Sequence, residues 1–212
     1  MPGFFFEITE VYMGRYCFYI DGFNMYYALQ DGYRQYKWLN YRTLCEDVAG
    51  PTNPVEKVCY FSAFVKWRQT SYAKHKVYIK ALRSVGVEYV QGRFLNKKIR
   101  CHLCRKEFLT HEEKQTDVNI AIQLLSDAIT DQYDRAVIVS ADSDLIPAIQ
   151  AVHRHFPAKE VGVMFPIGRS SYELKREADF IKKMRQTHLE KCQFPVSFRV
   201  GNETLTRPPD WQ

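Results

Sequence analysis

The sequence predicts an α/β domain built on a central, mostly parallel sheet. Short runs of β-branched and aromatic residues alternate with longer stretches of helical period, the pattern of βαβ units. The runs are continuously apolar, as strands covered on both faces are. The 212 residues fit one core, since a single core commonly serves ~100–250 residues. A chain 46% hydrophobic and 25% charged can bury enough apolar area without disulfides, which excludes a disordered or fibrous protein. Residues 1–212 are therefore read as a single domain.

The first strand is Tyr16 to Ile20, ending at Asp21-Gly22, and Asn24 to Leu29 begins a helix. Leu39 to Val48 is a second helical piece, closed by Gly50, Pro51 and Pro54. Val55 to Val65 reads as the second strand, Ser71 to Ser84 as a helix, and Val87 to Val90 as a third strand entered through Gly86. Residues 92–112 lose the helical period and read as an inserted basic hairpin or loop. From Glu113 to Ile129 the period returns, with Val118, Ile122, Leu125 and Ile129 four, three and four apart and Ala121, Leu124 and Ala128 beside them. Ala136 to Val139 and Val161 to Phe165 are strands, Leu145 to Phe156 is a helix, and Ser170 or Ser171 caps a helix running to Ala178. Residues 194–212 carry Pro195, Pro208 and Pro209 and read as a tail over the surface.

Lys and Arg number 30 against 24 Asp and Glu, a net charge of +6 that leans weakly toward a polyanionic partner. Cys17, Cys45, Cys59 and Cys192 stand alone among mostly apolar neighbours, so no disulfide framework is present and a reducing cytoplasm is the expected location. Phe4, Phe5 and Phe6 are followed at once by Glu7 and Glu10, unlike a signal peptide, and no apolar run reaches the ~20 residues of a membrane span.

Acidic residues collect where an open parallel sheet binds its ligands, beyond the carboxyl ends of the strands. Asp21 closes the first strand, with Asn24 three residues on. Asp142 and Asp144 follow the strand Ala136 to Val139, behind Ser140. Asp117 shares the helical row Asp117, Ala121, Leu124, Ala128, which faces inward, and Glu113 lies one turn earlier. Singly, Asp142, Ser140 or Asn24 reads as a helix cap and Asp21-Gly22 as a turn pair. Jointly they are harder to dismiss. Two carboxylates ~4 Å apart repel by roughly 4 kcal/mol at an effective dielectric near 20, so such a cluster calls for a divalent cation or shared protons. Mg²⁺ or Mn²⁺ suits an all-oxygen site that bridges to phosphates. No Gly-x-Ser-x-Gly elbow, P-loop or Gly-x-Gly-x-x-Gly fingerprint is present.

Three segments carry a resemblance: Asp21-Gly22-Phe23-Asn24-Met25-Tyr26-Tyr27, the stretch Glu113-Lys114-Gln115-Thr116-Asp117 through Ala121, and Val139-Ser140-Ala141-Asp142-Ser143-Asp144-Leu145. They resemble the signature blocks of the NYN domain family, LabA-like branch, within the PIN-like nuclease superfamily, over residues 16 to 209. The resemblance implies a Rossmann-like PIN fold with about five parallel strands and a metal-dependent ribonuclease activity. It maps Asp21, Asp117, Asp142 and Asp144 to the acidic metal site and Asn24 and Ser140 to orienting water or substrate; Glu113 takes a supporting position, with the adjacent Glu112 as the alternative that could point inward. A non-catalytic RNA-binding or regulatory module that dimerises is the alternative it leaves open. A hydrolase of small phosphorylated substrates is a third.

In the insertion, Cys101 and Cys104 have the spacing that begins a zinc site but supply only two of four ligands, so His102, His111 or a second subunit would have to complete it. Lys97, Lys98, Arg100, Arg105 and Lys106 surround the pair as candidate phosphate contacts, and Arg169 precedes a helix start where a phosphate can sit. Lys74, Lys76, Lys80 and Arg83 read as a solvated helix face. Tyr26, Tyr27, Phe94 and Phe108 are suited either to stacking bases or to the core.

Overall fold

The computed structural model describes residues 14–100 and 102–211. Its centre is a six-stranded sheet. The first strand, β1 (Tyr16–Asp21), is buried along its whole length and continues without a loop into α1 (Gly22–Gln30). Gly22 is needed at this junction, because a Cβ there would lie 2.6 Å from the Phe61 carbonyl oxygen and 2.7 Å from the Tyr60 ring. After α2 (Tyr41–Ala49), capped by the Asn40 side chain, the chain forms β2 (Val55–Ser62), α3 (Gln69–Ser84) and β3 (Glu88–Gln91). An antiparallel hairpin of β4 (Arg93–Arg100) and β5 (Glu107–Lys114) follows, separate from the main sheet. Then come α4 (Thr116–Ile129), β6 (Arg135–Val139), α5 (Ile146–His155), β7 (Glu160–Phe165), α6 (Tyr172–Glu177) and β8 (Phe180–Lys183).

The sheet order is β3-β2-β1-β6-β7-β8, and every adjacent pair is parallel. Connections leave β1 toward one edge and resume at β6 toward the other, so the order reverses between these two strands. The crevice beyond their carboxyl ends is where such a sheet binds ligands.

Alternation along the strands divides the core. Phe18 and Ile20 face one layer with Tyr41, Leu44, Val58 and Leu82. Cys17 and Tyr19 face the other with Ile120, Leu124, Ile138 and Ile149. The second layer also buries Asp127, which accepts from Tyr19 Oη at 2.8 Å and pairs with Lys57 Nζ at 2.7 Å.

Several expectations change. The sheet has six strands, because Phe180–Lys183 pairs with β7; only two of its four residues are apolar and none is fully buried, which hides an edge strand from a reading based on apolar runs. Helix α4 begins at Thr116, and Glu113 belongs to β5. The row Val118, Ile122, Ile129 points outward, with Val118 59% and Ile129 70% exposed, while Ile120, Leu124 and Ala128 form the buried row. The helix is where its period predicts, and its inward row is the expected one, Asp117, Ala121, Leu124 and Ala128. Residues 194–211 are ordered over the surface. After α7 (Gln186–Lys191), a hairpin of β9 (Ser197–Val200) and β10 (Glu203–Thr206) packs on the first layer. Trp38 lies under Phe194, Phe198 and Trp211 and donates its indole N–H to the Pro195 carbonyl at 2.8 Å. Lys74 and Lys80 pair with Asp210 and Glu203, so that basic helix face holds the C-terminal segment in place. Phe4 to Phe6 lie outside the described residues.

Candidate functional site

The crevice at the strand reversal holds the carboxylates. Asp21 is the last residue of β1 and the N-cap of α1. Its Oδ1 accepts from the backbone N–H groups of Phe23 and Asn24, each at 3.0 Å. Its Oδ2 accepts from Ser140 Oγ at 2.9 Å, across the gap to the end of β6. Capping and a functional role thus coincide in one side chain, since a cap uses one oxygen and leaves the other directed at the crevice. Burial raises the Asp21 pKa, and these hydrogen bonds oppose the rise.

The loop after β6 is built on the same network. Ser140 Oγ also accepts from the Asp142 N–H at 3.1 Å, and the Asn24 side-chain oxygen accepts from the Ala141 N–H at 3.1 Å. Asp142 caps the short 3-10 turn Ser143–Leu145 through the Asp144 N–H at 3.0 Å. Asp21, Asn24, Ser140, Asp142 and Asp144 are therefore one hydrogen-bonded unit spanning the ends of β1 and β6.

Asp117 enters from a third element, the first turn of α4. Its pKa is pushed up to about 6, first by burial and then by the charges of Asp21, Asp142, Glu113 and Asp144. Burial is the larger cause, and the neighbouring carboxylates add to it. The residue before α4, Gln115, has φ 80°, a left-handed conformation that costs a non-glycine residue roughly 1–2 kcal/mol. This turn redirects the chain from β5 into α4. Glu113 reaches across it to accept from the Thr116 N–H at 3.2 Å and from the Thr116 hydroxyl, capping the helix while adding to the negative field.

Among the described residues no three His, Cys, Asp or Glu side chains close into a ready-made cage around one ion. The donor set nevertheless fits Mg²⁺ or Mn²⁺: it is all oxygen, and Mg²⁺ is commonly held by one or two carboxylates while keeping most of its waters. The raised Asp117 pKa is the expected mark of clustered carboxylates without a compensating charge.

The basic residues are less convergent. Lys97 pairs with Glu112 at 3.0 Å and Arg169 pairs with Asp31, so neither stands as a free cation. The α6 start is capped by Ser171. Lys98 and Arg100 share the hairpin face that carries Phe94 and Asn96, and Arg105 and Lys106 are exposed at the tip. Cys101 lies outside the described residues, and Cys104 is exposed in the turn. His111 does not complete a zinc site with Cys104. It stands opposite Asn96, four register positions down the strand from Glu107, or about 13 Å at ~3.3 Å per residue. It bonds Asn96 at 2.9 Å and stacks on Trp67 at 3.5 Å between ring centres.

Tyr26, Tyr27 and Phe108 are exposed, whereas Phe94 is half-buried against Phe23 and Trp67. Trp67 escaped the sequence reading because it lies in a loop, where no periodicity marks a face, while His111, read there as a candidate zinc ligand, stacks on Trp67 instead. A lone Trp beside Lys66 and Arg68 was the available signal.

A six-stranded parallel sheet flanked by helices is the architecture expected of a PIN-like α/β domain. The chain belongs to the NYN domain family, whose match covers residues 15–186. It is 28% identical to the 6-hydroxy-3-succinoylpyridine 3-monooxygenase HspA of Pseudomonas putida, over 91% of this chain and 74% of that protein. Its fold is similar to the crystal structure of a protein of unknown function from Vibrio parahaemolyticus, with TM-score 0.56, 20% identity, and 84% of this chain and 97% of that one covered. Family and fold agree with the PIN-like nuclease superfamily. Among the described residues no helix is long and apolar enough to cross a membrane.

Proposed function

We propose that the protein is a metal-dependent nuclease that hydrolyses phosphodiester bonds in RNA. The observation that carries this is the hydrogen-bonded unit of Asp21, Ser140 and Asp142 at the ends of β1 and β6, which Asp117 faces from the first turn of α4; burial and the neighbouring carboxylates push the Asp117 pKa up to about 6. Asp21, Asp117 and Asp142 would hold Mg²⁺ or Mn²⁺, with Asp144 and Glu113 outside them. Such an ion supplies an activated water and charge stabilisation at the departing oxygen. Ser140 fixes the relative positions of Asp21 and Asp142 by bonding both. Asn24 anchors the Ala141 backbone to α1, so the two acidic strand ends keep their spacing. The net charge of +6 favours a polyanionic substrate.

The test is labelled RNA incubated with purified protein, with Mg²⁺ or Mn²⁺ and with EDTA, beside Asp142→Asn. Cleavage that requires the cation and falls at least a hundredfold in the variant is expected. Cleavage unchanged in Asp142→Asn would remove that residue from the site. Salt-sensitive RNA binding without cleavage under either metal would leave a binding module. The named activity of the Pseudomonas relative supplies a different reading: oxygen uptake dependent on 6-hydroxy-3-succinoylpyridine and on an added two-electron reductant, with no RNA cleavage, would replace hydrolysis by oxygenation.

A further inference from the structure

A cleft of about 580 Å³ lies between the loop after β2 and the hairpin, lined in part by Phe64, Lys66, Trp67, Arg93, Phe94 and His111. Its aromatic side chains are ordered against one another. Trp67 stacks on His111 with the rings 18° from parallel, and Phe94 meets the Trp67 ring edge-on at 4.8 Å. Phe94 in turn meets Phe23 edge-on at 5.5 Å, and the Phe23 N–H donates to Asp21. The cleft therefore opens beside the carboxylate crevice, two ring contacts away. Trp67 is 41% exposed although its ring is fixed by two neighbours, which core packing does not explain. Lys66 and Arg93 form no ion pair among the described residues, unlike Lys97, Lys74 and Lys80.

We propose that this cleft is a nucleobase subsite. The ring of an unpaired nucleotide stacks on the uncovered part of Trp67, and Lys66 and Arg93 take the flanking phosphates. The adjoining phosphodiester is thereby presented to Asp21, Asp117 and Asp142, a consequence that rests on the hydrolytic reading above. Single strands are favoured over duplex, whose bases already stack on each other. A flat nitrogen heterocycle also describes the pyridine substrate named for the Pseudomonas relative, so the test includes that compound.

Tryptophan fluorescence of the full chain is titrated in EDTA, where no cleavage interferes. The probes are oligouridylate, an abasic strand of equal length, a duplex, and 6-hydroxy-3-succinoylpyridine. Saturable quenching by oligouridylate is expected, lost in Trp67→Leu, with the abasic strand bound about tenfold or more weakly. Should Trp67→Leu fail to fold, Lys66→Ala with Arg93→Ala is the second variant; it lowers the slope of log affinity against log salt by about 1.4, two contacts at ~0.7 each. An abasic strand bound as tightly as oligouridylate, or quenching by the pyridine alone, overturns the subsite. Quenching without cleavage under Mg²⁺ or Mn²⁺ keeps the subsite and removes the hydrolase. Cleavage without quenching and without a cost for the abasic strand does the reverse.

Discussion

Replacing Asp117 by Asn should stabilise the metal-free protein at neutral and alkaline pH while removing its response to metal. Asp117 titrates near 6 in the fold against an ordinary 3.8. The folded state therefore binds the proton more tightly, and stability falls as pH rises from about 4 to about 6. Above that range the full cost is present. A shift of this size corresponds to at most about 3 kcal/mol; the carboxyl is half-buried, and solvent screening reduces the cost to about 1–2 kcal/mol. For a chain of this length that is a rise in Tm of roughly 2–8 °C. Asn keeps the volume and drops the charge, so the gain should be complete at pH 8 in EDTA and vanish below pH 4. Thermal unfolding from pH 4 to 8 measures it directly. In the wild type, Mn²⁺ at 100 times its dissociation constant adds about 2.7 kcal/mol, a gain the variant should largely lack. A variant less stable than wild type at every pH, or a difference that does not change with pH, would refute the reasoning.

Ser140→Ala removes a donor from the buried Asp21 carboxylate and the acceptor of the Asp142 N–H; it should cost about 1–3 kcal/mol in urea unfolding and lower cleavage without changing which metal is used. Gly22→Ala drives a methyl into the Phe61 carbonyl and the Tyr60 ring; a loss of about 1–3 kcal/mol is expected, with weaker metal binding because Asp21 is adjacent. Lys57→Met strands Asp127 in the second core layer and should destabilise by roughly 3–5 kcal/mol. Because that pair lies outside the crevice network, the affinity of the folded protein for Mn²⁺, titrated calorimetrically, should not change.

Much of the fold was legible because buried parallel strands leave long apolar runs, as Tyr16–Ile20 and Ala136–Val139 do. The edge strand Phe180–Lys183 was not, since half its side chains meet solvent. The inward row of α4 was legible, since Asp117, Ala121, Leu124 and Ala128 share one face and Leu124 and Ala128 are buried. The acidic positions stood out because each terminates a strand or opens a helix. Their joining through Ser140 and Asn24 depends on the pairing of β1 with β6, which brings residues 119 apart in sequence to 2.9 Å. The cations of the hairpin divided by strand face, Lys97 toward Glu112 and Lys98 away from it, a distinction set by register.

The most direct measurement is a crystal soaked in Mn²⁺ and recorded at the manganese absorption edge. An anomalous peak within coordination distance of Asp21, Asp117 or Asp142, absent from Asp117→Asn crystals, is the result expected. Full Mn²⁺ exposure with no peak in that crevice, or a peak unaffected by the substitution, would contradict it.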